Sequence, residues 1–231
     1  MPPIRGIYNT ARTLSFYAKQ QGVVANNIAN ATTDGFKVDR LAAHVDPNGT
    51  VPVPVQATDL SQGQLRPTGR PLDLALEGAG FLVVQTAEGE RLSRGGALRL
   101  DQDGYLVDLN GNPILGVDGP ILLRGGDVEV QQDGTVLVDG IAEGQLRIET
   151  VADTASLQKE GNSLFLPGGK TIPVTTGVTL RQGAIEEANV DAVMEMVDLI
   201  QIQRAYSANM GAMKALDRVL ATVTGTVGRV R

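Results

Sequence analysis

The sequence predicts an α+β fold in which N- and C-terminal helices form a coiled coil and a mostly antiparallel β domain is inserted between them. Apolar residues recur every three or four positions near both ends, while apolar and polar residues alternate in the middle. Asx-Gly dipeptides separate the alternating stretches, as between the strands of hairpins. The predicted parts are a coiled-coil helix (1–36), an extended linker (37–70), a β domain (71–182) and a C-terminal helix (183–231).

The N-terminal helix is predicted from a heptad pattern with alternating steps of three and four residues. The pattern comprises Ile4, Ile7, Ala11, Leu14, Ala18, Gln21, Ala25 and Ile28. At ~1.5 Å per residue, residues 4–29 would form a rod about 39 Å long. Several members are small, so a second helix could approach closely.

The C-terminal helix, over residues 190–224, has a similar pattern. Its members are Met196, Leu199, Ile202, Tyr206, Met210, Met213, Leu216, Leu220 and Val223. Asn189 is a candidate N-cap, and Asp191 falls in the first turn, where the helix dipole favours an anion.

The apolar surface of this second helix is wider than a two-stranded coiled coil requires. Val193, Val197 and Ile200 lie partly off the main pattern. Two helices alone would leave part of such a surface in water, so we expect burial between molecules. The alternative is that both helices belong to a monomeric bundle.

Strands and tight turns account for the middle of the chain. Leu72, Leu74 and Leu76 alternate with other residues, and residues 81–84 form a continuous apolar run typical of a central strand. The turn dipeptides are Asp103-Gly104, Asn110-Gly111, Asp118-Gly119, Asp133-Gly134 and Asp139-Gly140. In the preceding segment, 37–70, apolar residues follow neither the helical nor the strand period, and several prolines occur. This composition predicts an extended linker.

The composition excludes several kinds of site. A net charge of −6 argues against nucleic-acid binding. The absence of cysteine removes thiolate catalysis and Cys-based metal sites, and the single histidine, His44, excludes a multi-His site. Glu186 and Glu187 are interpreted as a solvated pair before the second helix. We predict no enzyme activity and no catalytic, cofactor-binding or metal-binding residue.

Four blocks in order along the chain resemble the flagellar rod and hook family. The first is NNIANATTDGFK at residues 26–37 and the second is RPLDLALEGAGFLVV at 70–84. The third comprises SRGG at 93–96, DGYLV at 103–107 and NGNPILG at 110–116; the last is QGAIEEANVD at 182–191, followed by EM at 195–196 and IQIQRAY at 200–206. Departures from the family pattern, such as Leu82 in place of an aromatic residue and Ala188 in place of serine, affect local packing.

The resemblance implies a structural subunit of the flagellar basal-body rod, the drive shaft that transmits torque. Such subunits pass through the flagellar type III export apparatus without a cleaved signal and polymerise helically with copies of themselves and other rod proteins. The implied location is the periplasmic rod, with no cofactor, nucleic acid or direct membrane insertion. The short segment after the first helix favours the proximal over the distal rod. The alternatives are the distal rod and a secreted oligomeric binding module with no flagellar role.

The assembly interface is predicted from the helical patterns and from the blocks that carry the resemblance. Its candidate residues are Ile7, Leu14, Ile28, Asn30, Phe36, Asn189, Met196, Leu199, Arg204, Tyr206, Met213 and Leu220.

Overall fold

The computed structural model describes residues 2–45, 52–174 and 176–227. The chain divides into two compact units. The helical unit comprises Met1–Ala29, Asp39–Asp59 and Asp191–Arg231, and the β unit comprises Asn30–Val38 and Leu60–Val190. Two long helices near the chain ends and a large antiparallel β region between them confirm the predicted α+β class.

Two antiparallel helices make up most of the helical unit. Helix α1 spans Pro2–Ala29 and helix α2 spans Ala192–Val227. Near the end of α1, Nδ2 of Asn27 donates to Oε2 of Glu195 near the start of α2, at 3.1 Å. Near the opposite ends, a Cβ atom added to Gly6 would lie 3.7 Å from Cδ1 of Leu216. The two helices therefore pack side by side in opposite directions.

The helical unit also contains a β-hairpin where the sequence predicted an extended linker. Strand β1 (Asp39–Val45) pairs antiparallel with strand β2 (Pro52–Thr58). Prolines obscured this hairpin in the sequence, because Pro52 and Pro54 both belong to β2. Proline is tolerated in an edge strand where the missing N–H would point away from the partner.

The remaining strands are short and lie in the β unit. They are β3 (Leu65–Pro67), β4 (Leu74–Glu77), β5 (Phe81–Thr86), β6 (Gly89–Ser93), β7 (Arg99–Leu100), β8 (Leu106–Val107), β9 (Leu115–Gly116), β10 (Gly119–Pro120), β11 (Val128–Val130), β12 (Thr135–Val138), β13 (Ile141–Gln145), β14 (Ile148–Val151), β15 (Gln158–Gly161), β16 (Leu164–Leu166), β17 (Thr171–Pro173), β18 (Thr179–Gln182) and β19 (Ala184–Glu186). A single 3-10 turn, Thr154–Ser156, precedes β15 in the described chain.

Every described strand pair is antiparallel. The largest sheet has six strands in the order β15-β16-β6-β5-β14-β17, and β11-β12-β13 form a second sheet. The other sheets of the β unit are two-stranded: β3 with β19, β4 with β18, β7 with β8, and β9 with β10. Strands β3 and β4, which follow the first helix in sequence, thus pair with β19 and β18, which precede the second.

Strand β5 lies at the centre of the β unit and is buried on both faces. Leu82 and Val84 point into the larger apolar cluster, whereas Phe81 and Val83 point into a smaller one. In the smaller cluster the rings of Phe81 and Phe165 meet edge to face, with centroids 5.6 Å apart. Burial on both faces explains why this strand is a continuous apolar run rather than an alternating one.

The five predicted Asx-Gly turns differ in backbone conformation. All five glycines have positive φ, but Asp139 is the one Asx residue among them that does, with φ of 51°. Asp139-Gly140 therefore has the two left-handed residues of a tight type I′ hairpin. In the Asp133-Gly134 turn the aspartate side chain contributes instead: Oδ1 of Asp133 accepts from the N–H of Thr135 at 2.9 Å.

Candidate assembly interface

The face of α1 that packs against α2 coincides only in part with the predicted heptad pattern. Leu14 is buried, and Ile7 and Ile28 are half-buried. Three small members of the pattern are exposed: Ala11, Ala18 and Ala25. Val24 and Asn27, which lie outside the predicted pattern, are buried as well. The side chain of Ile4, also a member of the pattern, lies outside the described residues.

On α2, most predicted interface residues lie on the side that faces α1. Glu195 and Ile202 are buried there. At helical spacing from them, four predicted residues are half-buried: Leu199, Tyr206, Met213 and Leu220. The side chain of Val223, at the end of the predicted pattern, lies outside the described residues.

A second apolar face of α2 points away from α1. We call it the outer face of α2, and it consists of Val193, Met196, Val197 and Ile200. Val193 is 70% exposed and Ile200 is 50% exposed. Of the predicted interface residues, Met196 belongs to the outer face, and exposed Arg204 follows it one helical turn after Ile200. Within the described chain, no apolar partner covers this face.

Small residues line an exposed side of α1. Ala11, Ser15, Ala18, Gly22, Ala25 and Ala29 follow one another in steps of three or four, and all six are exposed. A Cβ atom added to Gly22 would meet nothing within 4 Å. The surface is therefore shallow and leaves room for side chains from a neighbouring molecule.

A buried asparagine joins the helices to the hairpin within the helical unit. Oδ1 of Asn27 accepts from the N–H of Asp39 at 3.1 Å, and its Nδ2 donates to the carbonyl of Asp39 at 2.8 Å. The same Nδ2 donates to Glu195. Asn27 thereby satisfies the N–H and the carbonyl of Asp39, the first residue of β1.

Asn189 is not the N-cap of α2, contrary to the sequence prediction. The cap is Asp191, whose Oδ1 accepts from the N–H groups of Val193 and Met194 at 3.0 and 3.1 Å. Oδ1 of Asn189 instead accepts from the N–H of Val38 at 2.7 Å, and its Nδ2 donates to the carbonyl of Ser61 at 3.0 Å. Asn189 therefore fixes the segment after α1 within the β unit.

Two other predicted residues, Asn30 and Phe36, also lie in this segment. Oδ1 of Asn30 accepts from the hydroxyl of Thr33 at 3.3 Å, which closes the turn after α1. Phe36 is buried, and the ammonium of Lys159 lies 3.7 Å from the centroid of its ring. Both residues hold local structure within this chain, and nothing further assigns them to an interface between molecules.

Glu186 is buried, whereas the sequence predicted a solvated side chain. It forms a buried ionic cluster with Lys37 and Arg94. Oε1 of Glu186 accepts from Nζ of Lys37 at 2.5 Å and from the N–H of Gly63 at 2.8 Å. Oε2 lies 3.4 Å from Nη1 of Arg94. Its neighbour Glu187 is partly exposed and pairs with Arg66 at 2.8 Å.

Each cation of the ionic cluster also binds backbone oxygens. Lys37 donates to the carbonyl of Ser61 at 2.7 Å, and Arg94 donates to that of Gly78 at 2.6 Å. Burial lowers the pKa of Arg94, and the charge of Glu186 opposes that shift. The cluster thus ties together the segments that follow α1 and precede α2 in sequence. The neighbours of Glu186, Ala184 and Ile185, are buried with it, so the strand is buried on both faces and no alternation in the sequence signalled that Glu186 points inward.

Within residues 2–45, 52–174 and 176–227, no three His, Cys, Asp or Glu side chains come together where a metal ion could be held. Burial raises the pKa of Asp34, and the charge of Arg66 opposes the rise. In the same part of the chain, neither long helix combines the length and apolar character that crossing a bilayer requires.

Three family models match successive parts of the chain. A model described as "Flagella basal body rod protein" matches residues 7–37, and one described as "Flagellar hook protein FlgE/F/G D1 domain" matches residues 75–162. A third, "Flagellar basal body rod FlgEFG protein C-terminal", matches residues 181–226. The first and third contain most of α1 and α2.

Curated relatives match over most of their length. The flagellar basal-body rod protein FlgF of Caulobacter vibrioides is 35% identical, over 82% of this chain and 84% of the relative. The chain belongs to the flagellar basal-body rod protein family. FlgF of Escherichia coli K12 is 31% identical over 91% of this chain and 93% of the relative. The rod protein FlgG of Buchnera aphidicola (strain Sg) is 31% identical over 86% and 90%.

The regions matched by the terminal rod-family models contain the polar residues described above. Asn27 and Lys37 fall in the N-terminal match, and Glu186 and Asn189 fall in the C-terminal match. In this rod-family chain, the Asn27–Glu195 bond and the Lys37–Glu186 pair therefore each join a residue of the N-terminal match to a residue of the C-terminal match.

Proposed function

We propose that this chain is a structural, non-enzymatic subunit of the proximal part of the flagellar rod and polymerises helically through its terminal helices. The outer face of α2 is the observation that carries the proposal. Helix α2 has one apolar face against α1 and a second in water. Fully burying an aliphatic side chain contributes about 1.5–3 kcal/mol. Burial of this face is therefore strongly favoured once neighbouring subunits cover it.

In the assembled rod, the terminal helices of neighbouring subunits would form a coiled-coil tube that transmits torque. The shallow, exposed side of α1 supports this arrangement, because small residues allow helices to approach closely. The predicted residues Ile7, Leu14, Ile28, Leu199, Tyr206, Met213 and Leu220 would hold the helix pair within each subunit, and Met196 and Arg204 would contact a neighbour. The partners would be copies of this chain, other rod proteins and, during delivery, the flagellar type III export apparatus.

An aspartate on the outer face of α2 tests the proposal. We expect Ile200→Asp to remove the chain from isolated basal bodies and abolish swimming, while the far-UV circular dichroism of the purified protein stays unchanged. Ile141→Asp is the matched control, because Ile141 is also an exposed isoleucine but lies in the β unit. Normal basal bodies that contain the Ile200→Asp chain would contradict the proposal.

A place in the distal rod is the second candidate, favoured by relatives such as FlgG. Electron cryo-microscopy of isolated basal bodies distinguishes the two, since the proximal assignment requires density for this chain in the part of the rod nearer the inner membrane. Small closed oligomers of the purified protein, and no incorporation into basal bodies, would instead support a secreted binding module.

A further inference from the structure

The β unit contains a pocket of about 350 Å³, called here the polar pocket. It is lined by two aspartates, Asp34 and Asp108, by two asparagines, Asn110 and Asn162, and by four threonine and serine residues. None of the described residues that line it is a lysine or an arginine. The polar pocket therefore offers negative charge and several oxygen acceptors to a group that enters from outside.

Asp34 supplies the charge that is available in the polar pocket. The carboxylate of Asp108 is occupied, since its Oδ1 accepts from the N–H groups of Asn110 and Asn112, both at 2.8 Å, and its Oδ2 accepts from Nδ2 of Asn112 at 2.9 Å. The carboxylate of Asp34 accepts no hydrogen bond from the part of the chain that the structure describes, and Nη2 of Arg66 lies 3.9 Å from its Oδ1. Burial raises the pKa of Asp34, so a cation that entered the pocket would offset the cost of the buried charge.

The outer face of α2 continues into a row of cations. Ile200 is followed on the same side of the helix by three exposed cations: Arg204, Lys214 and Arg218. At about 100° per residue, each of them lies within about 40° of Ile200 around the helix axis. The acidic residues of α2 lie about 100° or more from Ile200: Glu195, Asp198 and Asp217. The charge on this side of the described helix is therefore positive throughout.

Arg204 is distinguished from the other cations of the two helices by its surroundings. Within the described helices it is the cation that follows an exposed aliphatic side chain, Ile200, by one turn. Its own side chain forms no ion pair or hydrogen bond in the described chain. Arg12 also follows an exposed residue, Tyr8, but its Nη2 already donates to the hydroxyl of that residue at 2.9 Å. A guanidinium has five N–H donors and thus suits a pocket lined by several acceptors.

We propose that Arg204 of one copy enters the polar pocket of a second copy and pairs there with Asp34. Ile200 of the first copy then packs on Leu109 of the second, which lines the pocket and is 62% exposed. This inference rests on the proposed function and specifies what the outer face of α2 meets. An apolar group and a charged group lie side by side on both surfaces. The pair of contacts therefore sets the register in which two copies meet.

The charges select the β unit of a neighbour, rather than its first helix, as the partner of this row of cations. The β unit contains 19 Asp and Glu residues and 11 Lys and Arg residues. Helix α1 contains no acidic residue, and its charges are all positive: Arg5, Arg12 and Lys19. Cations on both helices would repel each other across a boundary between copies. The proposed contact also leaves the small-residue side of α1 free for other helices of the tube.

The proposed contact is heterologous, because the outer face of α2 and the polar pocket are different surfaces of the same chain. Each added copy therefore brings one new pocket or one new outer face to the end of the assembly. Such contacts give rings when the rotation closes and open helical filaments when it does not. The contact thus accounts for growth of a polymer, which a self-complementary dimer contact would stop.

Cysteine cross-linking tests the contact directly, because the natural chain has no cysteine. Cells are made to produce two single-cysteine chains together, Leu109→Cys and Ile200→Cys, and their isolated basal bodies are oxidised. We expect a disulfide-linked dimer when both chains are present and monomers when either is produced alone. Val117→Cys with Ile200→Cys is the matched control and should give no dimer, since Val117 is also 62% exposed in the β unit but does not line the pocket.

A charge exchange provides a test that does not depend on cysteine. Arg204→Glu should lower the amount of the chain in isolated basal bodies about tenfold or more, because it places a carboxylate beside Asp34. Adding Asp34→Lys in the same chain should restore incorporation. No restoration, with both variants as well folded as the natural chain by far-UV circular dichroism, would overturn the pairing. Arg124→Glu is the matched control and should enter basal bodies normally, since Arg124 is an exposed arginine of the β unit.

A neutral variant covers the case in which Asp34→Lys does not fold. Asp34→Asn keeps the size of the side chain and should also lower incorporation, whereas Asp118→Asn, at an exposed turn of the β unit, should not. A loss for Asp34→Asn without a loss for Arg204→Glu would overturn the contact, because the pocket would then bind a different cation.

The possible results separate this contact from the proposed function. Basal bodies that contain both cysteine chains without a mixed dimer would overturn the contact and leave the rod assignment intact. A dimer of Ile200→Cys alone would also overturn it, because outer faces would then meet each other. Failure of the folded, unsubstituted chain to enter basal bodies would overturn the proposed function and the contact together.

Discussion

At the scale of single residues, polar side chains hold together segments that are far apart in sequence. Asn27, Asn189 and Glu186 each bond to backbone or charged groups that the local sequence does not supply. Glu186 is the most constrained, because one buried carboxylate faces both Lys37 and Arg94. A buried ion pair adds little net stability over apolar residues, but removing one partner leaves the other charge uncompensated.

We predict that Glu186→Gln lowers the free energy of unfolding by about 3–5 kcal/mol, because Lys37 and Arg94 would remain buried without a counter-charge. Glu187→Gln, the adjacent control, should cost less than about 1 kcal/mol, because Glu187 and Arg66 form a partly exposed pair. Urea unfolding followed by far-UV circular dichroism measures both. Equal losses for the two variants would contradict the assignment of Glu186 to a buried cluster.

At the scale of elements, the two faces of helix α2 have different roles. One face packs within the subunit and stabilises it, and the other is exposed and is the face we assign to assembly. Ile202 is buried on the side of α2 that faces α1, whereas Val193 on the outer face is exposed. The heptad pattern identified both helices, but it included Ala11, Ala18 and Ala25, which are exposed, and missed Val24 and Asn27, which are buried. The small residues gave no signal of which side they would occupy, because alanine fits both a tight helix contact and an exposed surface.

We predict that Ile202→Ala lowers the free energy of unfolding of the helical unit by about 2–5 kcal/mol, through lost burial and the cavity left behind. Val193→Ala should change it by less than about 0.5 kcal/mol, because its side chain is already in water. Thermal unfolding of the purified chain measures this difference. Incorporation into basal bodies should fall for Val193→Ala although the monomer is stable, and a destabilised Val193→Ala monomer would count against an exposed outer face.

At the scale of the whole molecule, the β unit has its own core, independent of the helix pair. Its two apolar clusters consist entirely of residues between Leu60 and Val190. Among the described residues the helical unit has no comparable core, since few side chains of its helices are buried there: Leu14, Val24, Asn27, Glu195 and Ile202. The two units should therefore respond differently to loss of a helix.

We predict that deleting residues 192–231 leaves the β unit folded and abolishes incorporation into basal bodies. Strand amides such as those of β5 and β6 should keep their protection in hydrogen exchange, because their core is complete without α2. Amides of α1 should lose protection, because a lone helix with one apolar face is marginal in water. Normal rod assembly by the truncated chain would contradict the role given to α2.

The sequence by itself determined the class of the fold, the two helices, the central strand and the family, because periodicity and ordered sequence blocks are local properties. The sequence did not predict the hairpin of β1 and β2, because Pro52 and Pro54 usually indicate the end of a strand. Only the tertiary structure decided that Lys37 pairs with Glu186 across 149 residues, and that Asn189 binds Val38 rather than capping α2. Such contacts depend on which distant segments the sheets bring together, and no local pattern encodes that proximity.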